Sequence, residues 1–309
     1  MGLTPTQEKI IKIDGNLVVQ ASAGTGKTHT MVCKIAKDIE DNKTYKVIAA
    51  ITFTIKAAQE IKDRLAVDVS QHFIGTNNSF VIEEIIKPFM KDVYGSEFDI
   101  DMSTDYEIKV SNFEEGIEKI RVDGILPTYK NTKKNFIFDL AQSIVEQSLA
   151  CQLYLQAKYF KIYIDEYQDC DASMHNLFMY ICDRLQIDTF IVGDEKQSIY
   201  CWRGAYPEAF KSIKEKQNFK SIFMGDNFRS CQQIQNYSNL LFEETSHLYA
   251  QTENLDKIIF LSCTYNDWMS KDIEQNDKDK KSAFLRYSNQ NASEGALALT
   301  NVGVEFIYI

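Results

Sequence analysis

The sequence has no excess of positive charge, no paired cysteines and no long apolar run, and each absence removes a class of function. Its 309 residues carry 34 Lys and Arg against 44 Asp and Glu, a net charge of −10. A chain that coats nucleic acid over its whole surface is basic, so any nucleic-acid contact here is local. The balance is uneven, because residues 1–64 hold ten Lys and Arg and only seven Asp and Glu. Seven cysteines (Cys33, Cys151, Cys170, Cys182, Cys201, Cys231 and Cys263) include no C-x-x-C pair. That scatter argues against a disulfide frame or a zinc site and for buried, reduced thiols. With no signal peptide and no span of about 18 apolar residues, the chain reads as a soluble cytoplasmic protein without a membrane segment. There is no internal repeat and no low-complexity tract. An apolar content of 44% is ample for the cores of about two domains.

What is present is organised around residues 17–30, LVVQASAGTGKTHT. This stretch reads as an apolar strand, a glycine-bearing turn and a helix start. The pattern G-x-x-x-x-G-K-[ST] is nearly met, with Ala21 in place of the first glycine, then Gly26, Lys27 and Thr28. Gly24 and Gly26 let backbone N–H groups turn inward around phosphate oxygens. The following helix offers its positive end to the same anion. Lys27 would reach the β and γ phosphates of a bound nucleotide, and the Thr28 hydroxyl would bind Mg²⁺. A glycine-rich turn without a ligand also satisfies the bare pattern.

Around this loop the elements alternate. Thr4-Pro5-Thr6-Gln7 opens a helix, with Thr4 and Gln7 forming a capping box. Val32, Ile35, Ala36 and Ile39 repeat at helical spacing. Lys46–Thr52 is a buried strand, and Thr54 caps the next helix. Further strands fall at Tyr159–Ile164, Thr189–Val192 and Ser221–Met224. This rhythm predicts an α/β fold with a parallel sheet and crossover helices. Residues 80–134 show helical segments but no comparably apolar strand, and are read as a helical insertion. Within 83–118 there are eleven acidic and three basic residues. Such a segment opposes phosphate and suits protein contacts better than DNA. Beyond 245, strands are expected at 257–262, 283–287 and 304–308, with a helix near 291–301.

The strand ends carry chemistry. Tyr159–Ile164 ends at Asp165-Glu166, where Asp165 would hold Mg²⁺ and Glu166 would deprotonate the water attacking the γ-phosphate. Gly193-Asp194 is a further strand end on the same sheet edge, where ligands of open α/β sheets collect. Gln197 beyond it would sense the γ-phosphate, although a solvated loop glutamine fits the spacing equally well.

Seven phrases occur in order: LTPTQ (3–7), ASAGTGKT (21–28), TFTIKAAQEIKDR (52–64), IGTNNSF (74–80), YIDEYQD (163–169), VGDEKQSIYCWRGA (192–205) and DNFRS (226–230). In this the chain resembles superfamily 1 DNA helicases of the UvrD/Rep type. The resemblance implies a RecA-like P-loop domain at 1–79 and 135–216, interrupted by the 80–134 insertion. It also implies the start of a second RecA-like domain at 217–309. The activity it implies is ATP-driven movement on single-stranded DNA. Ala21, Ser22, Ala23, Gly24, Thr25 and Gly26 would form the ATP loop, with Lys27, Thr28, Asp165, Glu166 and Gln197 in the roles already given. Gln7 would read the adenine edge, and Phe228 would set its ring against adenine. Arg229 would reach the γ-phosphate across the cleft between the two domains. Phe53, Lys56, Thr76, Tyr200 and Trp202 fall in the motifs that line single-stranded DNA. For Phe53 and Trp202, ordinary core packing is the alternative.

The sequence departs from the family at His29, usually Arg beside the adenine, at Ile55, usually Asn, and at Asn78, usually His. Within the family its wording is similar to the helicase-like subunits of Gabija anti-phage defence, which implies a TOPRIM-containing nuclease as partner. A regulatory subunit that senses nucleotide or DNA without unwinding is the rival expectation. A P-loop kinase would not explain the single-strand motifs. Residues 283–308 resemble the strand–helix–strand opening the family's second domain, but the family's next two motifs are not found. The expectation is therefore that this chain alone binds ATP–Mg²⁺, turns it over slowly and does not unwind duplex DNA.

Overall fold

The computed structural model describes residues 2–98, 101–241 and 243–251, together with 291, 293–295 and 297. The strands expected at 257–262, 283–287 and 304–308, most of the helix near 291–301, and Cys263 lie outside the described residues. The chain divides into two compact units, Met1–Ser230 and Cys231–Ile309.

The first unit opens with α1 (Pro5–Lys12). Its capping box is formed, with Thr4 and Gln7 satisfying each other's backbone N–H at 2.9 and 3.2 Å. Then come β1 (Leu17–Ala21), α2 (Lys27–Asp41), β2 (Val47–Thr52), α3 (Ile55–Arg64) and β3 (Phe73–Thr76). β4 (Ser103–Val110) and β5 (Ile125–Tyr129) follow, and then β6 (Tyr159–Ile164), β7 (Asp188–Gly193) and β8 (Lys220–Met224). Six strands form one parallel sheet in the order β3-β2-β6-β7-β1-β8. Alternate residues feed two apolar clusters. Val18, Ile51, Ile164 and Ile191 face one, and Val19, Ala50, Tyr163 and Val192 the other. Burial on both faces is what makes these strands near-continuous apolar runs. The result is the expected α/β, RecA-like P-loop fold.

Two expectations about the order of elements are corrected. The insertion is not wholly helical, because β4 and β5 pair in parallel through the helix Phe113–Asp123. β4 exposes most residues on both faces, so neither apolar alternation nor an apolar run marks it. Met102, Val110, Ile120 and Leu126 bury into the same cluster as β6, so the insertion shares the core of the domain. Its acidity is partly compensated from outside the segment, since buried Glu84 pairs with Lys158 at 2.6 Å and accepts from the Tyr154 hydroxyl, both on the helix Leu149–Lys158. The second correction concerns residue 217. β8 pairs with β1 from Leu17↔Lys220 to Ala21↔Met224, so this strand completes the first sheet and the unit ends at Ser230. In the second unit, Asn236 on the helix Gln232–Leu240 is buried and exchanges hydrogen bonds with the Ala250 backbone.

The six cysteines among the described residues are free, but only Cys151, Cys170 and Cys182 are buried. Cys201 is exposed, which corrects the expectation of uniformly buried thiols. No helix among the described residues is long and apolar enough to cross a membrane.

Behind the phosphate loop, α2 is fixed to the sheet by a buried charge cluster. The Asp38 carboxylate accepts from Lys34 at 3.1 Å, from Lys161 of β6 at 2.9 Å and from the Tyr163 hydroxyl. Lys34 also donates to the Ile11 carbonyl of α1 at 3.3 Å. Removing one partner from such a cluster strands the others without compensation. Asp38→Ala is therefore expected to destabilise the chain by about 3–5 kcal/mol in urea unfolding.

Candidate nucleotide and single-strand site

The loop after β1 is held from three sides. Thr25, fully buried, donates its hydroxyl to the Ser22 carbonyl at 2.7 Å. The Gln7 side-chain amide donates to the Thr25 carbonyl at 3.2 Å, so the capping residue of α1 also braces the loop. Ser22 N–H donates to the Met224 carbonyl at 3.1 Å, and Phe228 N–H to the Gly24 carbonyl at 2.9 Å. Gly24 and Gly26 have φ of 74° and 81°. A Cβ on Gly24 would also lie 2.5 Å from Asn227 Oδ1, so only glycine fits between loop and chain. α2 starts with no side-chain cap on its first N–H groups, which leaves them directed at whatever the loop holds. His29 is exposed on this helix, 3.8 Å from the Cys33 sulfur.

These contacts change the expected place of Arg229. It belongs to the first compact unit, next to Gly24, rather than to an opposing domain. The cause is β8, which extends the first sheet and delivers DNFRS straight onto the loop. Phe228 and Arg229 are both exposed there.

β7 lies between β1 and β6, so the loop and the acidic strand end are two strand spacings apart, about 10 Å. Lys27 spans that gap, its Nζ 3.0 Å from Glu166 Oε2. Glu166 adopts φ 50°, ψ 42°, a left-handed conformation uncommon for a residue with a Cβ. Asp165, only 3% exposed, accepts from the Glu166 N–H at 2.9 Å. Burial first, then the Glu166 charge, pushes the Asp165 carboxyl up to about 7. Asp169 is raised to about 6 by the same two causes, and its Oδ1 is buried without a partner.

The turn after Glu166 is bolted to the loop after β7. The Gln168 amide donates to Glu166 Oε2 at 2.8 Å and accepts from Asp194 N–H at 2.9 Å. Gln197 donates to Asp194 Oδ2 at 2.6 Å, so it lies on this loop as a bonded residue. Nothing in the spacing of YIDEYQD singled out Gln168. Its position between the Asp165-Glu166 pair and the end of β7 is a property of the sheet order.

The residues expected against DNA fall into two groups. Phe53 and Thr76 line one groove of about 410 Å³ with Ile55, Asn78 and, from the insertion, Tyr106. Asn78 donates to the Tyr106 hydroxyl at 3.0 Å. Tyr106 was missed because β4 itself was missed. Phe53 is part-buried and also packs on the core, while Lys56 is exposed. Tyr200 and Trp202 project from the loop after β7, where Trp202 is 64% exposed and is not core. The Arg203 guanidinium stands 4.7 Å from the Trp202 ring and 5.7 Å from that of Tyr200.

This arrangement defines a RecA-like P-loop nucleotide site with an aromatic surface on an adjoining loop. The family model described as an AAA domain matches residues 7–203, and the chain belongs to that family. It is 44% identical to Gabija protein GajB of Bacillus cereus (strain VD045) over 98% of this chain and 63% of that protein. It is 28% identical to the ATP-dependent DNA helicase Rep of Buchnera aphidicola subsp. Schizaphis graminum, over 91% of this chain and 49% of the relative. The match to the ATP-dependent DNA helicase PcrA of Bacillus subtilis is 25%, over 80% of this chain and 40% of that one. The chain thus spans about two thirds or less of the relatives it matches.

Asp165 fits a divalent cation. Its buried charge is offset only by one backbone N–H and by Lys27. Its folded pKa stands above the unfolded value of about 3.9, so the native state keeps the proton longer and stability falls as pH rises between the two. Asp165→Asn is expected to raise the melting temperature of the nucleotide-free chain at pH 8 but hardly at pH 4. Equal shifts at both pH values would show that the carboxylate charge is not the cause.

Proposed function

We propose that this chain is the ATP-hydrolysing motor part of a superfamily 1 DNA helicase or translocase that works on single-stranded DNA. The observation that carries the reading is the Lys27–Glu166 contact at the shared strand edge, one strand from a loop that presents Tyr200 and Trp202. Lys27, Thr28 and Asp165 would hold ATP and Mg²⁺, and the metal would supply charge neutralisation between the β and γ phosphates. The chain's own part is to exchange partners. Phosphate draws the Lys27 ammonium from Glu166, and the freed carboxylate takes the proton of the attacking water. Arg229 and Phe228, on the segment bonded to Gly24, would meet the nucleotide from its other side. Gln7 would add adenine recognition to its bracing of the loop.

Trp202, Tyr200, Phe53, Lys56 and Thr76 would contact the strand through stacking and phosphate pairing, with little sequence preference. The relative's name supports a place in a Gabija system. A cytoplasmic, anti-phage role with a TOPRIM-containing nuclease as partner extends that reading and rests on the sequence resemblance alone. The acidic insertion is the proposed face for that partner.

Lys27→Ala is expected to remove most nucleotide binding. Glu166→Gln should keep binding but slow single-turnover hydrolysis by about 10²–10⁴. Undiminished hydrolysis in the Gln variant would remove Glu166 from the role of base. Trp202→Ala should weaken single-strand affinity by about 1–3 kcal/mol whatever the sequence. An unchanged affinity would place the strand elsewhere.

A further inference from the structure

Gln168 is almost wholly buried, and both ends of its amide are in use. One end donates to the Glu166 carboxylate and the other accepts from the Asp194 backbone. Its own carbonyl accepts from the Ser198 hydroxyl at 3.1 Å. Asp194 in turn accepts from the Gln197 side chain and from Lys196 N–H at 3.1 Å. A Cβ on Gly193 would stand 2.7 Å from Gln168 Oε1. Two further bonds close the same seam: Tyr206 N–H donates to the Cys170 carbonyl at 2.8 Å, and Asp171 bridges to Ala205. The whole segment from Asp194 to Ala205, with Tyr200 and Trp202 at its exposed crest, is thus fastened to the turn that carries Glu166.

We infer that Gln168 is a positioning residue that transmits the state of the Glu166 carboxylate to the Trp202 loop. The inference rests on the ATP-motor reading above and deepens it. While Lys27 holds Glu166, the carboxylate is shared between an ammonium and the Gln168 amide. When phosphate takes Lys27, Glu166 loses its stronger partner and its geometry follows the amide that remains. A shift of that amide carries its bond to Asp194 N–H, from which it accepts directly at 2.9 Å. Gln197 and Ser198 move with it, and so does the aromatic crest. Binding of phosphate at one strand end is thereby read at the surface proposed for single-stranded DNA, and coupling of this kind is reciprocal.

The test uses the full chain carrying Trp268→Phe, which leaves Trp202 as the only indole in the sequence. Binding of ATP–Mg²⁺, or of a non-hydrolysable analogue, is followed by Trp202 emission and separately by equilibrium dialysis. In the parent, nucleotide should change the emission. In Gln168→Met, which keeps the volume and loses both hydrogen bonds, the emission change should disappear while nucleotide affinity stays. Gln168→Glu keeps the acceptor for Asp194 N–H but sets a like charge against Glu166, and should also lose the response, with a melting temperature below the parent's. Gly193→Ala attacks the same contact from the other side and should have the same effect. A full emission response in these variants overturns the relay while leaving the ATP-motor reading intact. A parent chain that binds no nucleotide overturns that reading and the relay with it.

Discussion

The Lys27–Glu166 ion pair is the contact on which the rest of the molecule depends. It brings together a lysine at the start of α2 and a glutamate at the end of β6, with one strand between them. Only a parallel sheet puts both ends on the same edge, and only helices on both faces keep such a sheet dry. The Asp38 cluster serves the same contact from behind. It fastens α2 to β6 by Lys34, Lys161 and Tyr163, so the helix that carries Lys27 and the strand that carries Glu166 keep their relative height.

The site stores unfavourable terms that a ligand would relieve. Asp165 is buried beside a second carboxylate, Glu166 sits at positive φ, and Asp169 has a buried oxygen without a partner. A core optimised for stability would contain none of these. Their presence together at one strand end fits a place built to receive a cation and a phosphate chain.

How much of this was legible in the sequence follows from burial. β1, β2, β6 and β7 lie inside the sheet, and their apolar runs announced them with boundaries within a residue or so. β3 at the sheet edge and the β4–β5 pair in the insertion carry mixed residues, so periodicity gave no signal. The boundary near 217 failed for another reason. A strand's partner is a tertiary fact, and β8 looks alike whether it opens a new sheet or completes the old one. Arg229 was consequently placed across a cleft, whereas it stands beside Gly24. Gln7 and Trp202 were legible as positions to single out, and the structure places Gln7 against the phosphate loop and Trp202 in the open on the loop after β7. Gln168 and Tyr106 were not, because each is defined by what it touches from another segment.

The central claim is that nucleotide chemistry at the β1–β6 edge is coupled to a single strand on the aromatic loop. Steady-state ATP turnover with and without single-stranded DNA, beside duplex of equal length, tests it most directly. Single-stranded DNA should raise turnover well above the DNA-free rate and above that with duplex. Turnover indifferent to single-stranded DNA would contradict the account.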